Sequence, residues 1–175
     1  MSRRHEHVDL ILELVKLFKP KTYVELGVQH GHTFNAVTAL KVVENAIAVD
    51  LKIRGIKMRP GVDCYEMSTQ KFISLWEDPI DMLFIDADHS YYQVKNDFFK
   101  ILDKVRRYTG LVLLHDTYPL KELAIEGRCG DAWKFAKELH EFYRRIEIVT
   151  LPGPTAGMSI VRIVGLKHME WEDEI

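Results

Sequence analysis

The chain has 175 residues, of which 47% are hydrophobic and 29% charged, and a formal net charge of −2. This composition suits one globular domain with a sizeable core, and the absence of any Lys/Arg run beyond Arg3-Arg4 speaks against a nucleic-acid surface. No apolar run reaches membrane-spanning length, no signal peptide is evident, and Cys64 and Cys129 form neither a CxxC pair nor a disulfide framework, so a reducing, cytoplasmic setting is expected.

Val8, Ile11, Leu12, Val15 and Phe18 follow helical spacing until Pro20. "TYVEL" reads as a first strand, "HTFNAVTALKVV" as a helix, and "NAIAVD" as a second strand that ends in Asp50. "VDCYEM" is a weaker third strand, with a short helix through Phe72 and Leu75 after it. "DMLFID" is a fourth strand, and Val94, Phe98, Ile101, Leu102 and Val105 then share one helical face. "GLVLLHD" is a fifth strand, and Trp133, Ala136, Leu139 and Phe142 mark a further helix. "RIEIVTL" and "MSIVRIVGL" flank the turn-rich "PGPTAG" and predict a β-hairpin.

Alternating apolar strands and helices imply a mostly parallel sheet covered on both faces. The expected fold is an α/β, Rossmann-like three-layer sandwich with a seven-stranded sheet and a C-terminal antiparallel hairpin. One domain is expected over 1–175: an N-terminal helix within 1–19, a core over 20–165 and a short tail over 166–175. In such sheets ligands bind beyond the carboxyl ends of the strands. The chemically capable residues collect there: Glu25 and Gly27 after the first strand, Asp50 after the second, Ser68 beyond the third, Asp86 to His89 after the fourth, and His115 with Asp116 after the fifth.

"VELGVQHGHT" sets Gly27 and Gly31 between strand and helix without a GxGxxG or P-loop pattern. A tight strand-to-helix turn explains the glycines equally well. Asp50 is positioned to accept hydrogen bonds from ribose hydroxyls, or to serve a turn. Without a pyrophosphate cradle, a nucleoside cofactor lacking phosphates fits better than a dinucleotide. "YVELGVQHGHT", "IAVD", "FIDADHSYYQVKNDF" and "LVLLHDT", in this order, resemble the class I S-adenosylmethionine-dependent methyltransferases. The likeness is greatest to the small-molecule O-methyltransferase branch that includes macrocin O-methyltransferase and cephalosporin-hydroxylase-like proteins. The resemblance implies S-adenosyl-L-methionine as cofactor, with Glu25, Gly27 and Gly31 around its methionine moiety, Asp50 on the ribose, Ser68 beside the adenine, and His89 against the adenine ring. Met67 stands where many relatives carry an acidic residue.

The resemblance also implies a metal site, Mg²⁺ in the metal-dependent relatives, on Asp86 and Asp116. Two close carboxylates repel, and a divalent cation removes the conflict. His115 is a poor magnesium ligand, so a third donor from Asp88, Thr117 or water, a softer ion such as Mn²⁺ or Zn²⁺, and no ion at all remain open. Asp86 and His115 are the expected catalytic residues, His115 as general base because its ordinary pKa is near neutral. Ser90 matches an S-x-x-Q capping box and reads as a helix cap, and Asp88 helps order that turn. His5, His7, His140 and His168 read as surface residues without a role. The expected reaction is methylation of a hydroxyl on a small molecule such as a sugar. Neither nucleic acid nor membrane is an expected partner, and a homo-oligomer is left open. The rival is a non-catalytic cofactor-binding protein on the same scaffold, because 118–131 is the only substantial candidate lid.

Overall fold

A computed structural model describes residues 6–125, 128–153 and 156–164. The elements follow in order α1 (Glu6–Phe18), β1 (Thr22–Leu26), α2 (His32–Ala39), β2 (Asn45–Asp50), β3 (Val62–Glu66), α3 (Thr69–Leu75), β4 (Met82–Ile85), α4 (Tyr91–Ile101), β5 (Leu111–His115), α5 (Trp133–Phe142), β6 (Ile146–Leu151) and β7 (Met158–Ile163). The strands form one sheet in the order β3-β2-β1-β4-β5-β7-β6. All pairs from β3 to β5 are parallel, and β7 runs antiparallel to both β5 and β6. The expected sandwich and its terminal hairpin are both present. The expected end of the last strand at Leu166, the tail over 166–175, the middle of "PGPTAG", His5 and His168 lie outside the described residues.

Period-two alternation divides the core between the two faces of the sheet. Val24, Leu26, Ile47, Val49, Leu83, Ile85, Val112 and Leu114 meet Phe72 of α3, Val94, Phe98 and Ile101 of α4, and Phe135 and Leu139 of α5. Tyr23, Ala46, Ala48, Met82, Phe84, Leu111 and Leu113 meet Ile11 and Val15 of α1 and Phe34 and Val37 of α2. Each face buries an apolar row against the apolar stripe of its helices, the main favourable term in folding.

Two expectations about helices are corrected. α2 stops at Ala39 instead of running to Val43. Lys41 takes a left-handed φ of 57°, and Glu44 and Asn45 both donate their N–H groups to the Lys21 carbonyl, which turns the chain straight into β2. α4 stops at Ile101; Leu102 and Val105 lie in the turn beyond, where Val105 pairs with Ile80 in an isolated bridge. No helix joins β2 to β3. Residues 51–61 instead run back as a loop over the β1–α2 turn. Arg54 N–H bonds the Gln29 carbonyl at 3.2 Å, and the Asn35 side chain joins Gly55 and Lys57 at 2.8 Å each. Among the described residues, no helix is long and apolar enough to cross a membrane.

Candidate active site

Register decides which side chains share the site. Leu26 pairs with both Val49 and Ile85, and Ile85 pairs with Leu114. Gly27, Asp50, Asp86 and His115 therefore each stand one residue past the same row, at the carboxyl edge of four adjacent strands. Asp50, Asp86 and His115 also share the alternation phase of the α1/α2 face, as does Glu25 one turn of the pleat lower. The switch point falls between β1 and β4, and Gly27 closes it. Its φ is +91°, and a Cβ there would stand 2.5 Å from Ala87 Cα and closer still to the Asp86 carbonyl oxygen. Gly31 (φ +70°) precedes α2 as its N-cap, with the Ile56 side chain filling the space a Cβ would need.

The acidic cluster is tight. His115 Nδ1 lies 3.0 Å from Asp86 Oδ1 and 3.2 Å from Asp116 Oδ1. The register makes Asp86 and His115 direct neighbours. Asp116 would follow on the other face, but its left-handed φ of 58° lets Oδ1 reach back to His115. Its Oδ2 pairs with His89 Nδ1. Asp116 is thus buried between two imidazoles. Burial opposes its charge, but His115 and His89 outweigh it and hold the carboxyl well below the usual range. Burial likewise opposes charge on His115, yet Asp86 and Asp116 raise that imidazole to about 10. The hydrogen bond to Asp116 raises His89. Cys129, buried beside the same carboxylate, has its thiol pushed up to about 12 by burial and then by Asp116.

Three buried polar atoms here have no hydrogen-bond partner: Asp86 Oδ1, His115 Nδ1 and Thr117 Oγ1. The carboxylates approach His115 Nδ1 closely, but neither lies along a hydrogen-bond direction. Orphaned buried donors and acceptors are costly. Asp86, His115 and Asp116 each offer a ligand atom within 4.8 Å of the others. Donors at right angles about 2.1 Å from an ion stand about 3.0 Å apart. The spacing and the orphaned atoms both fit a divalent cation.

A family model described as "Methyltransferase domain" matches residues 24–117, more than half of the chain. The chain belongs to this methyltransferase family. Its fold is that of a SAH-bound O-methyltransferase from Bacillus cereus, at 14% identity and a TM-score of 0.67, covering 91% of this chain and 81% of that one. The O-methyltransferase TomG from Streptomyces achromogenes, involved in tomaymycin synthesis and solved with SAM, is 13% identical at a TM-score of 0.68, with 91% and 80% covered. The SAH-bound methyltransferase PaMTH1 from Podospora anserina is 19% identical at 0.68, with 94% and 80% covered. No curated protein matches the chain.

In this methyltransferase the residues singled out in the sequence fall into two groups. Glu25, Gly27, Asp50, Asp86, His89, His115 and Asp116 all line the carboxyl edge. Glu25 is only 2% exposed; Tyr23 Oη donates to Glu25 Oε2 at 2.6 Å, and burial pushes the carboxyl up to about 8 against that bond. Asp50 accepts from Gln29 N–H at 2.8 Å and Lys52 N–H at 3.0 Å, so it orders the turn around the glycine loop. Ser68, Asp88 and Ser90 serve turns and caps. Ser68 Oγ accepts from Lys71 N–H and starts α3. Ser90 caps α4 through Gln93 N–H, but the reciprocal bond of a capping box comes from Asp88, which accepts from Ser90 N–H at 2.8 Å. Gln93 Nε2 turns instead to Asp97 at 2.6 Å.

One site feature escaped the sequence reading. His7, taken there as a surface residue, packs edge-on against His115 with ring centroids 4.2 Å apart. Its signal was available: His7 lies four residues before Ile11 and eight before Val15, on the buried stripe of α1. The segment 118–131 is tied at both ends. Tyr118 N–H bonds the Ala156 carbonyl, and Asp131 and Ala132 N–H both bond the His89 carbonyl.

Proposed function

We propose that this methyltransferase transfers a methyl group from S-adenosyl-L-methionine to a hydroxyl of a small molecule, with a divalent cation held by Asp86 and Asp116. The observation that carries the reading is the convergence of Asp86, His115 and Asp116 one step from the switch-point crevice. The cofactor supplies a methyl group on a sulfonium, open to in-line attack by an oxygen. Asp50, at the tip of β2, is suited to the ribose hydroxyls. Glu25 and the Gly27–Gly31 turn are suited to the methionine end, Ser68 to the adenine edge and the His89 ring to the adenine face. Both partners must be held aligned, and such positioning is worth about 7–11 kcal/mol.

The donor set shifts two sequence expectations. An imidazole between two carboxylates suits a borderline ion such as Mn²⁺ or Zn²⁺ better than Mg²⁺. When bound, the cation lowers the pKa of an acceptor hydroxyl and orients it. The Thr117 hydroxyl is available as a further oxygen donor. His115 is then a ligand; with no ion it is held protonated by its two carboxylates. In neither state does its Nδ1 accept a proton from substrate, so His115 is better read as a positioning residue than as the base. His89 shares Asp116 through its Nδ1, and its ring, 41% exposed, is open to cover the adenine face. Vicinal oxygens, as in a sugar diol, suit bidentate attachment beside Asp86.

The test is methyl transfer from labelled cofactor to a panel of hydroxyl acceptors, with Mn²⁺ and with EDTA. Transfer lost in EDTA and restored by Mn²⁺ supports the reading. Full turnover in the chelated enzyme removes the ion from it.

A further inference from the structure

We infer that His7 is a positioning residue for this site: its ring locks the His115 imidazole in the orientation that turns Nδ1 toward Asp86 and Asp116. The inference rests on the cation reading above and extends it to the N-terminal helix.

A histidine ring on a strand tip has a broad second side-chain torsion. Half a turn about that bond exchanges Nδ1 for a carbon and removes the nitrogen from the cluster. Something must therefore hold the ring. The carboxylates draw Nδ1 by charge, at 3.0 and 3.2 Å, but make no directed hydrogen bond that fixes the plane of the ring. Among the described residues, two aromatic rings contact it. His7 meets His115 edge-on at 4.2 Å and 66°, and Phe84 meets it from β4 at 6.2 Å and 82°. Phe84 and His7 also pack on each other at 5.8 Å. The nearer of the two walls is His7.

His7 is itself held. Its Nε2 lies 3.3 Å from Oγ1 of Thr33, a buried residue in the first turn of α2. The α1 stripe below it, Ile11 and Val15, is fully buried in the same core. Helices α1 and α2 thus fix His7, and His7 fixes His115. Outer partners that orient a metal-binding imidazole are typically worth 10–100-fold in metal affinity.

The experiment compares wild type with His7→Ala, His7→Gln and His7→Phe. Mn²⁺ affinity is read by EPR, SAH affinity by calorimetry, and the His115 ring by its imidazole ¹⁵N and ¹³C signals in the metal-free protein. Phe keeps an aromatic wall and is expected to bind Mn²⁺ within about threefold of wild type. Ala and Gln are expected to weaken Mn²⁺ about 10–100-fold and to shift or broaden the His115 ring signals, with SAH affinity unchanged. Wild-type Mn²⁺ affinity and unshifted ring signals in Ala and Gln overturn the inference, as does a Phe variant as weak as Ala. Should Ala fail to fold, the Gln and Phe pair decides alone. If wild type itself takes up no Mn²⁺, the cation reading fails separately. The ring signals then judge His7: a shift in Ala and Gln but not in Phe supports its role, and any other pattern overturns it.

Discussion

Gly27 abuts the backbone of Asp86, so the glycine turn after β1 and the acidic tip of β4 form one contact. A Cβ at position 27 has no room beside Ala87 Cα and the Asp86 carbonyl, and the φ of +91° is itself unfavourable for any other residue. Gly27→Ala is expected to cost about 2 kcal/mol or more and to weaken SAH binding at least tenfold. Chemical denaturation and calorimetry measure the two effects. A variant of wild-type stability would mean that the two turns are not in contact.

Ser90→Ala is the matched control. The lost cap is expected to cost about 1 kcal/mol, with cofactor affinity and turnover intact. A large loss of activity at preserved stability would give Ser90 a chemical role that its bond to Gln93 N–H does not suggest.

The metal-free protein should lose stability as pH rises. His115 has a folded pKa of about 10 against an ordinary 6.5, so its contribution is complete below about 6.5 and is lost as pH climbs through about 10. Glu25, buried and held near 8 instead of 4.5, acts in the same direction: the folded state keeps a proton that the unfolded state has released. Asp116 works on the acid side, where its stabilisation is lost as pH falls below its ordinary 3.8. Urea midpoints should therefore peak in mild acid and decline from pH 6 to 10. His115→Gln should flatten the upper part of that decline, and saturating Mn²⁺ should do the same in wild type. Midpoints that climb between pH 6.5 and 9 would contradict the arrangement of charges around His115.

Cofactor binding should release a proton through Glu25. Near neutral pH the buried carboxyl is largely protonated, and a cationic ammonium brought beside it would ionise it. Calorimetric titrations at pH 7 in buffers of different ionisation enthalpy are expected to show release of a substantial fraction of a proton, abolished in Glu25→Gln. Buffer-independent heats in wild type would remove Glu25 from the contact with the methionine moiety.

Asp50→Ala is expected to weaken SAH at least tenfold while Mn²⁺ affinity stays within threefold, because Asp50 stands two strands away from Asp86. Equal losses of both ligands would point to collapse of the Gln29–Lys52 turn instead of a lost ribose contact.

The strands were legible because parallel strands buried on both faces must be nearly continuous apolar runs, and turn residues bound them. β1 and β2 match the sequence reading residue for residue. The ends of α2 and α4 were less legible, since Lys41 and Leu102 carry no stop signal; helix length there is set by where the next strand must begin. The 51–61 crossover was not legible as a cover for the glycine loop, because its bonds to Gln29 and Asn35 join segments about twenty residues apart.

Local sequence determined that acids and imidazoles stand at the ends of buried strands, since the apolar run must break where the sheet meets solvent. Only the tertiary structure decided which of them meet. Strand register set Asp86 beside His115, a left-handed turn swung Asp116 onto both histidines, and helix packing brought His7 across from α1. Register, backbone handedness at one residue and the docking of a distant helix are settled by the summed packing of the whole core, and no short stretch of sequence carries that sum.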